Sequence, residues 1–246
     1  MKSYIPSYKY KFPIEIPRGD KKYILTYVRQ MISEFVYDMG NLENNPFTFP
    51  EVQTLLDGIT VGGHKLSDQN QILNIKASWD YIINLRTKDK ININKDIICS
   101  IHNIVAKDEA LIVGDFRNGN IGIAGTTEYK CIESSKLNDI FENDIKIINS
   151  INNPLEKAII LNLWLSYCQF FYDGNKRTSR LSSNLILLGN NIGVLSISAR
   201  DKQEYNTLML EFYETLNADN IIKFLVEKCI TYFSGYDYKT YNEIIK

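Results

Sequence analysis

Histidine is nearly absent from this sequence: the 246 residues include two, at positions 64 and 102. Because histidine is the most frequent general base and metal ligand in proteins, few sites that depend on it can be built here. His64 lies in a Gly-Gly-His-Lys loop, where we expect it to be exposed. His102 lies in an apolar stripe between Ile101 and Ile104, a position typical of a hydrogen-bonded core histidine. Neither is predicted to act as a base.

Cysteine is also sparse. The four cysteines, at 99, 131, 168 and 229, are far apart, and no two form a Cys-x-x-Cys pair. This spacing excludes the common zinc sites and gives no disulfide framework. We therefore expect reduced thiols and a cytoplasmic protein. A secretion signal of the type III or type IV effector kind stays open, because such signals follow no readable pattern.

Long apolar runs and an excess of either charge are missing as well. No stretch is long and apolar enough to span a bilayer, and residues 1–12 lack the core of a signal peptide. The net charge is −1, with Lys and Arg spread along the chain, so we expect neither a nucleic-acid nor a membrane partner. A hydrophobic content of 44% is enough for one large domain with its own core.

Helical periodicity dominates the rest of the chain. Apolar residues from Tyr23 to Val36 form one stripe that ends near Gly40, and Thr48-Phe49-Pro50-Glu51 is a capping box that opens another helix. Asn118-Gly119-Asn120 is typical of a hairpin turn and is the one clear β pattern. The first and last dozen residues are predicted to be frayed. These patterns predict a mainly α protein with one β-hairpin.

The run Gln-Phe-Phe-Tyr-Asp-Gly-Asn-Lys-Arg-Thr-Ser-Arg at 169–180 carries the chemistry. Gly174 and Asn175 are predicted to open a helix, whose unpaired amides and positive dipole end favour an anion. Arg177 and Arg180 share a face of that helix, where each guanidinium can hold a phosphate group. Asp173 is placed to hold magnesium beside those phosphates. The alternative interpretation is an ordinary capped helix start on the surface.

This run resembles the signature of the Fic (Fido) family, His-Pro-Phe-x-Asp/Glu-Gly-Asn-Gly/Lys-Arg-x-x-Arg. Gln169 stands where the family has His, and Phe170 where it has Pro. Two other stretches are similar to the family: Phe116-Arg117 with residues 121–126, and residues 48–63. The resemblance covers residues from about 20 to 232 and implies a mainly α Fic/Fido helical bundle with one β-hairpin flap.

The resemblance also implies a division of the chain. It predicts an N-terminal extension at 1–20, an N-terminal helical region with an inhibitory-type helix at 21–92, a Fic core at 93–234, and a C-terminal tail at 235–246. Ile121, Gly122 and Ile123 belong to the flap, which in the family lays a strand of the target protein along its edge. A target protein is therefore the expected partner, and no oligomeric state is predicted.

The activity that the resemblance implies is transfer of AMP from ATP to a Ser, Thr or Tyr hydroxyl of another protein. Position by position, it assigns magnesium to Asp173, the nucleotide phosphates to the helix start, and the base to residue 169. The nucleotide-binding residues are then Gly174, Asn175, Lys176, Arg177 and Arg180. A Gln carboxamide can orient a hydroxyl but cannot remove its proton. We therefore expect ATP and Mg²⁺ to bind and the transfer to be impaired.

Three alternatives follow from the same residues. Relatives with Lys at position 176 include the Doc toxins, which transfer the γ-phosphate, so a phosphotransferase is one alternative. In some relatives the acid that corresponds to Glu43 helps remove AMP from the target, so a deAMPylase is another. Loss of the base also allows a non-catalytic module that binds nucleotide, a protein strand, or both.

Glu43 is the candidate inhibitory residue. The family's inhibitory helix ends in Ser/Thr-x-x-x-Glu-Gly/Asn, and Glu43 and Asn44 fit this pattern, whereas Met39 does not and Gly40 weakens the last turn. The resemblance implies that Glu43 pairs with Arg180 and blocks the γ-phosphate. The alternative is an ordinary exposed acid beside a loop.

Overall fold

The computed structural model describes residues 2–16, 18–86 and 92–233. It confirms a mainly helical protein with one small two-stranded sheet. The described helices are α1 (Lys21–Gln30), α2 (Ile32–Leu42), α3 (Phe49–Leu56), α4 (Leu66–Leu85), α5 (Lys95–Val105), α6 (Leu137–Ser150), α7 (Pro154–Cys168), α8 (Asn175–Gly189), α9 (Lys202–Thr215) and α10 (Asp219–Phe224). The strands β1 (Gly193–Leu195) and β2 (Ile230–Tyr232) pair antiparallel.

The centre of the fold is the pair α7 and α8, joined by residues 169–174. α7 is apolar on nearly all sides and almost wholly buried, as expected of a helix enclosed by others. α4 and α5 pack on α8, and α2 and α3 pack on α4. One hydrophobic core runs from Ile24 to Phe233. The turn that carries the motif is therefore anchored on both sides by buried helices.

Local sequence patterns explain several helix boundaries. The Thr48 side chain and the Glu51 carboxylate form the predicted capping box at the start of α3. Asn153 accepts hydrogen bonds from two backbone N–H groups at the start of α7, where Pro154 occupies the first turn. The apolar stripe of residues 23–36 is divided at Met31 into α1 and α2.

The predicted hairpin at residues 116–129 is not formed, because the structure describes no strand there. We call this segment the flap loop. A carboxylate takes backbone groups that a hairpin ladder would use: Glu214 on α9 accepts from the N–H groups of Thr127 and Glu128 at 2.6 and 2.8 Å. The two-stranded sheet lies elsewhere, where β2 follows α10 and a π turn at Leu225–Cys229. The flap loop is thus an irregular segment held by side chains.

Residues 2–12 are not frayed, contrary to the sequence-based expectation for the first dozen residues. The Tyr4 N–H donates to Asp144 at 3.0 Å, and Ser7 N–H donates to the Leu216 carbonyl at 3.0 Å. The Asp219 carboxylate then accepts from two further backbone N–H groups of this segment. These partners lie more than a hundred residues away, so local composition could not indicate them.

The proposed division into 21–92 and 93–234 remains a description from sequence, because both regions contribute to one core. The predicted tail at 235–246 lies outside the described residues. Among the helices that the structure describes, none is long and apolar enough to cross a membrane.

Candidate functional site

Gly174 opens α8 in a conformation that other residues rarely adopt. Its φ is 71°, in the left-handed region, and a Cβ added there would lie 2.8 Å from the Ala106 Cβ. Glycine therefore lets the turn approach α5 closely while the first amides of α8 remain free at the helix start. Asn175 fixes the same turn, since its side chain accepts from the Phe171 N–H at 2.9 Å and donates to the Phe171 carbonyl at 2.8 Å.

His102 on α5 supports this turn. Gly114 N–H donates to its Nδ1 at 3.0 Å, so its Nε2 carries the proton and donates to the Asp173 carbonyl at 3.0 Å. The ring also stacks on Phe171 with centroids 3.7 Å apart. Burial lowers the pKa of His102 to about 4, although the Asp173 carbonyl opposes that shift. His102 is thus the hydrogen-bonded core histidine that the sequence predicted.

Gln169 ends α7 in the left-handed conformation, with φ of 49°. Its carboxamide is hydrogen-bonded at both ends: Nε2 donates to the Ser166 carbonyl at 2.6 Å, and Oε1 accepts from Asn175 Nδ2 at 3.0 Å. Arg117 Nε donates to the Gln169 carbonyl at 2.7 Å and so joins the flap loop to this turn. The position where the family has its base therefore holds a neutral side chain that links α7 to Asn175 by hydrogen bonds.

Arg180 and Glu43 form the predicted ion pair, with Nη2 and Oε1 2.8 Å apart. Arg180 is 1% exposed; Glu43 binds its Nη2 alone, and the buried Tyr205 hydroxyl lies against the same guanidinium. Burial by itself would raise the pKa of Glu43, but the charges of Arg180, Arg177 and Lys176 outweigh burial and lower that pKa. Glu43 is thus a carboxylate that only partly satisfies a buried guanidinium.

Arg177 is held by a residue that the sequence did not single out. Both of its terminal nitrogens bind the carboxylate of Glu109, which follows α5, and Nη1 also donates to the Val105 carbonyl at 3.2 Å. Asp173 lies 3.5 Å from Arg177 Nη2. Neither arginine of the motif is free of carboxylates in this structure.

A cavity of about 310 Å³ opens at the start of α8. It is lined by Glu43, Gly122, Ile123, Gln169, Tyr172, Asp173, Gly174, Asn175, Lys176 and Tyr213. Residues from four predicted groups therefore meet here: the base position, the helix start, the flap and the inhibitory acid. Ile121, Arg177 and Arg180 are outside the lining. Lys176 is half-buried and makes no ion pair with a described residue.

Asp173 is the candidate magnesium ligand. Its side chain is 58% exposed at the cavity, and Oδ1 accepts from Gly174 N–H at 2.5 Å. Within the described residues, no cluster of three or more His, Cys, Asp or Glu side chains could hold a metal. A single carboxylate fits Mg²⁺ that is held mainly by nucleotide phosphates and water. The same arrangement does not suit a metal bound by protein alone.

Tyr213 also lines the cavity and was not predicted. Burial raises the pKa of its phenol well above the ordinary value, so the cavity wall there is a neutral hydroxyl on an aromatic ring. It belongs to a cluster of rings with Tyr129 and Tyr167. The sequence has sixteen tyrosines, and no local pattern separates Tyr213 from those of the core.

One family model and several curated proteins are similar to this chain. Residues 92–187 match the Fic/DOC family model. The chain is 25% identical to Protein adenylyltransferase Fic of Drosophila yakuba over 175 residues, covering 70% of this chain and 35% of that protein. It is 23% identical to the Nematostella vectensis protein of the same name over 197 residues, covering 78% and 44%. The chain thus spans less than half the length of these relatives.

A solved structure shares the fold. The Fic domain containing signaling protein from Bacteroides thetaiotaomicron superposes with a TM-score of 0.71 at 18% identity, covering 85% of this chain and 86% of that one. At this identity, the similarity concerns the arrangement of the helices alone.

Proposed function

We propose that this chain is a member of the Fic/DOC family, whose model matches residues 92–187, and that it binds ATP with Mg²⁺ at the start of α8 and transfers AMP poorly. The observation that carries this proposal is the buried guanidinium of Arg180 behind the cavity: Glu43, which lines the cavity, binds it through Nη2 alone, so a phosphate that displaced Glu43 would meet that guanidinium. The free amides of α8 point to the same ligand.

The charges around the cavity are balanced without a ligand. Lys176, Arg177 and Arg180 supply positive charge, and the carboxylates of Glu43, Glu109 and Asp173 supply the negative charge. A triphosphate adds several negative charges, so one carboxylate must leave its arginine. Glu43 suits this role because it lines the cavity and satisfies Arg180 through one nitrogen. We propose that the terminal phosphate of ATP takes its place.

Magnesium would be held by Asp173 and the phosphates, where it would neutralise charge on the transferred group. The chain's own residues hold the phosphates in place. The helix start and Asn175 support the α-phosphate, and Lys176, the cation in the cavity wall, contacts the outer phosphates. Tyr213 supplies an aromatic ring to the cavity lining.

Transfer itself lacks a proton acceptor. AMP transfer forms a bond between the target hydroxyl oxygen and the α-phosphorus, releases pyrophosphate, and requires the hydroxyl proton to leave. Gln169 cannot take that proton, and both ends of its carboxamide are already hydrogen-bonded. Loss of a general base costs about 10² to 10⁴ in rate, so we expect residual activity from positioning alone.

The test is incubation with Mg²⁺ and ATP labelled on the α-phosphate, with a lysate as the source of targets. We expect faint labelling that is lost with Asp173→Ala and unchanged with Asp139→Ala, which removes an exposed acid on α6. Strong labelling that requires Asp173 would contradict the impaired transfer. Label on the γ-phosphate that reaches protein, with none from the α-phosphate, would instead support the phosphotransferase alternative, which Lys176 favours.

A second candidate function is binding of an extended protein segment without catalysis. The flap loop favours it, since no hydrogen bond within the described residues engages the backbone of Ile121 or Gly122. Those groups can pair with a partner strand. Peptide binding that persists in a chain unable to bind ATP would support this module over the nucleotide site.

A further inference from the structure

A chain of side-chain hydrogen bonds joins the Glu43 turn to the motif by a second route. The Asn45 Nδ2, two residues after Glu43, donates to Gln71 Oε1 on α4 at 3.0 Å. Gln71 Nε2 in turn donates to Glu109 Oε2 at 2.7 Å. Glu109 then binds Arg177 with both carboxylate oxygens. We call Asn45, Gln71, Glu109 and Arg177 the second latch.

The second latch and the Glu43–Arg180 pair close a ring. Arg177 and Arg180 lie one turn apart on α8, and Glu43 and Asn45 lie at the end of α2. Arg180 is therefore connected to this turn directly, through Glu43. Arg177 is connected to the same turn through Glu109 after α5 and Gln71 on α4. Because the two connections share both ends, movement of the turn stretches both.

We infer that Gln71 is a positioning residue: it holds the Glu43 turn against α8 through Glu109 and Arg177, and it makes displacement of Glu43 by nucleotide harder. This inference rests on the proposed function and adds a residue that regulates nucleotide binding. Arg177 is 1% exposed and Glu109 neutralises it, so the Glu109 carboxylate stays in place while the link through Gln71 can open.

The position of Gln71 makes it suitable for a clean test. Gln71 is half-buried and does not line the cavity, so its side chain can be changed without removing a nucleotide contact. Gln71→Leu deletes both links and keeps a helix-forming residue of similar size. Gln69→Leu is the matched control, because Gln69 lies on the same helix and donates to the Val61 carbonyl at 3.1 Å, outside the ring.

The experiment measures ATP·Mg affinity by calorimetry for Gln71→Leu and Gln69→Leu, each alone and with Glu43→Gly. We expect Gln71→Leu alone to tighten binding about 5-fold, and to change it less than about 2-fold when Glu43 is already absent. Gln69→Leu should have no effect in either background. Equal tightening in both backgrounds, no tightening, or weaker binding would overturn the latch, since a merely structural residue would act alike in both.

A second measurement separates failure of the latch from failure of nucleotide binding. The thermal midpoints of Glu43→Gly, Gln71→Leu and the double variant are compared without nucleotide. We expect the double variant to lose less than the sum of the single losses, because either change opens the same ring. Additive losses would overturn the latch. If neither the unaltered chain nor Glu43→Gly binds ATP, the proposed function fails, and the midpoints alone decide on the ring.

Discussion

The two ends of the cavity differ in what they still offer chemically. At the phosphate end, formed by Gly174–Arg180 with Glu43 and Glu109, a glycine turn, the helix-start amides and two carboxylate-bound arginines form the anion site that we propose. At the transfer end, formed by Gln169 and the flap loop, the side chain at the base position is neutral and doubly hydrogen-bonded. Phosphate binding and proton transfer are therefore separate requirements on one motif.

The separation has a physical basis. Phosphate binding depends on backbone geometry and on guanidinium groups that stay charged at any physiological pH, and these are built into buried helices. Proton transfer depends on one side chain with a suitable pKa. Replacing that side chain leaves the first group of interactions intact.

We expect the largest effect, on the rate of AMP transfer, when a general base is placed at position 169. Gln169→His in the Glu43→Gly background is expected to raise AMP transfer about 10²- to 10⁴-fold, because His can accept the hydroxyl proton and tolerates the left-handed backbone. Transfer is measured with α-labelled ATP. Gln169→Asn is the control and should stay inactive. Equal rates in the His and Asn variants, with ATP bound by both, would show that the base does not limit this chain.

The next largest effect concerns the contribution of His102 to the free energy of unfolding. The pKa of His102 is lowered to about 4 in the folded state, so the unfolded chain binds the proton first as pH falls. The stability that neutral His102 contributes is complete above about pH 6.5 and is lost toward pH 4, on the order of 3 kcal/mol. Urea unfolding at both pH values should show this loss in the unaltered chain and in His64→Gln. If His102→Gln loses the same stability between these pH values, other titrating groups cause the loss.

A smaller effect tests whether Glu43 competes with nucleotide. Glu43→Gly is expected to tighten ATP binding about 10-fold, because the phosphate no longer has to displace a carboxylate from Arg180. Calorimetry with ATP and Mg²⁺ measures the change. Glu34→Gly removes an exposed acid from the same helix and should leave affinity unchanged. An unchanged affinity in Glu43→Gly would rule out the competition.

The smallest expected effect lies in the flap loop. Glu214→Gln weakens the charged acceptor of the Thr127 and Glu128 N–H groups, and should cost about 1 kcal/mol or less at this exposed site. Hydrogen exchange of those two amides should accelerate while ATP affinity stays constant. The control is Glu211→Gln on the same helix. Loss of ATP affinity in the Glu214→Gln variant would show that the flap loop contributes to nucleotide binding at the phosphate end.

Much of the phosphate end could be predicted from sequence, because its determinants are local. Gly174 must occupy a left-handed turn, and the three-residue spacing of Arg177 and Arg180 places both on one helix face. The Glu43–Arg180 pair was predicted through the family resemblance, although 137 positions separate the two residues. The roles of these residues toward a nucleotide stay predictions.

The remaining features depend on contacts that leave no local pattern. Glu109 is one of two adjacent acids after a helix, 68 positions from Arg177, and His102 is 71 positions from Asp173. The flap loop was mispredicted as a hairpin for the same reason, since Glu214 is 87 positions from the Thr127 amide that it binds. Propensity describes what a segment favours alone, whereas these distant side chains decide which backbone groups remain to be paired.

We claim that the start of α8 binds the phosphates of ATP, and calorimetric titration with ATP and Mg²⁺ measures this binding. The unaltered chain and Lys176→Gln are compared, with Lys146→Gln as the control for loss of an exposed positive charge. We predict one saturable site, weakened about 10-fold by Lys176→Gln and unchanged by Lys146→Gln. No binding in the unaltered chain, or equal binding in all three proteins, would contradict the claim.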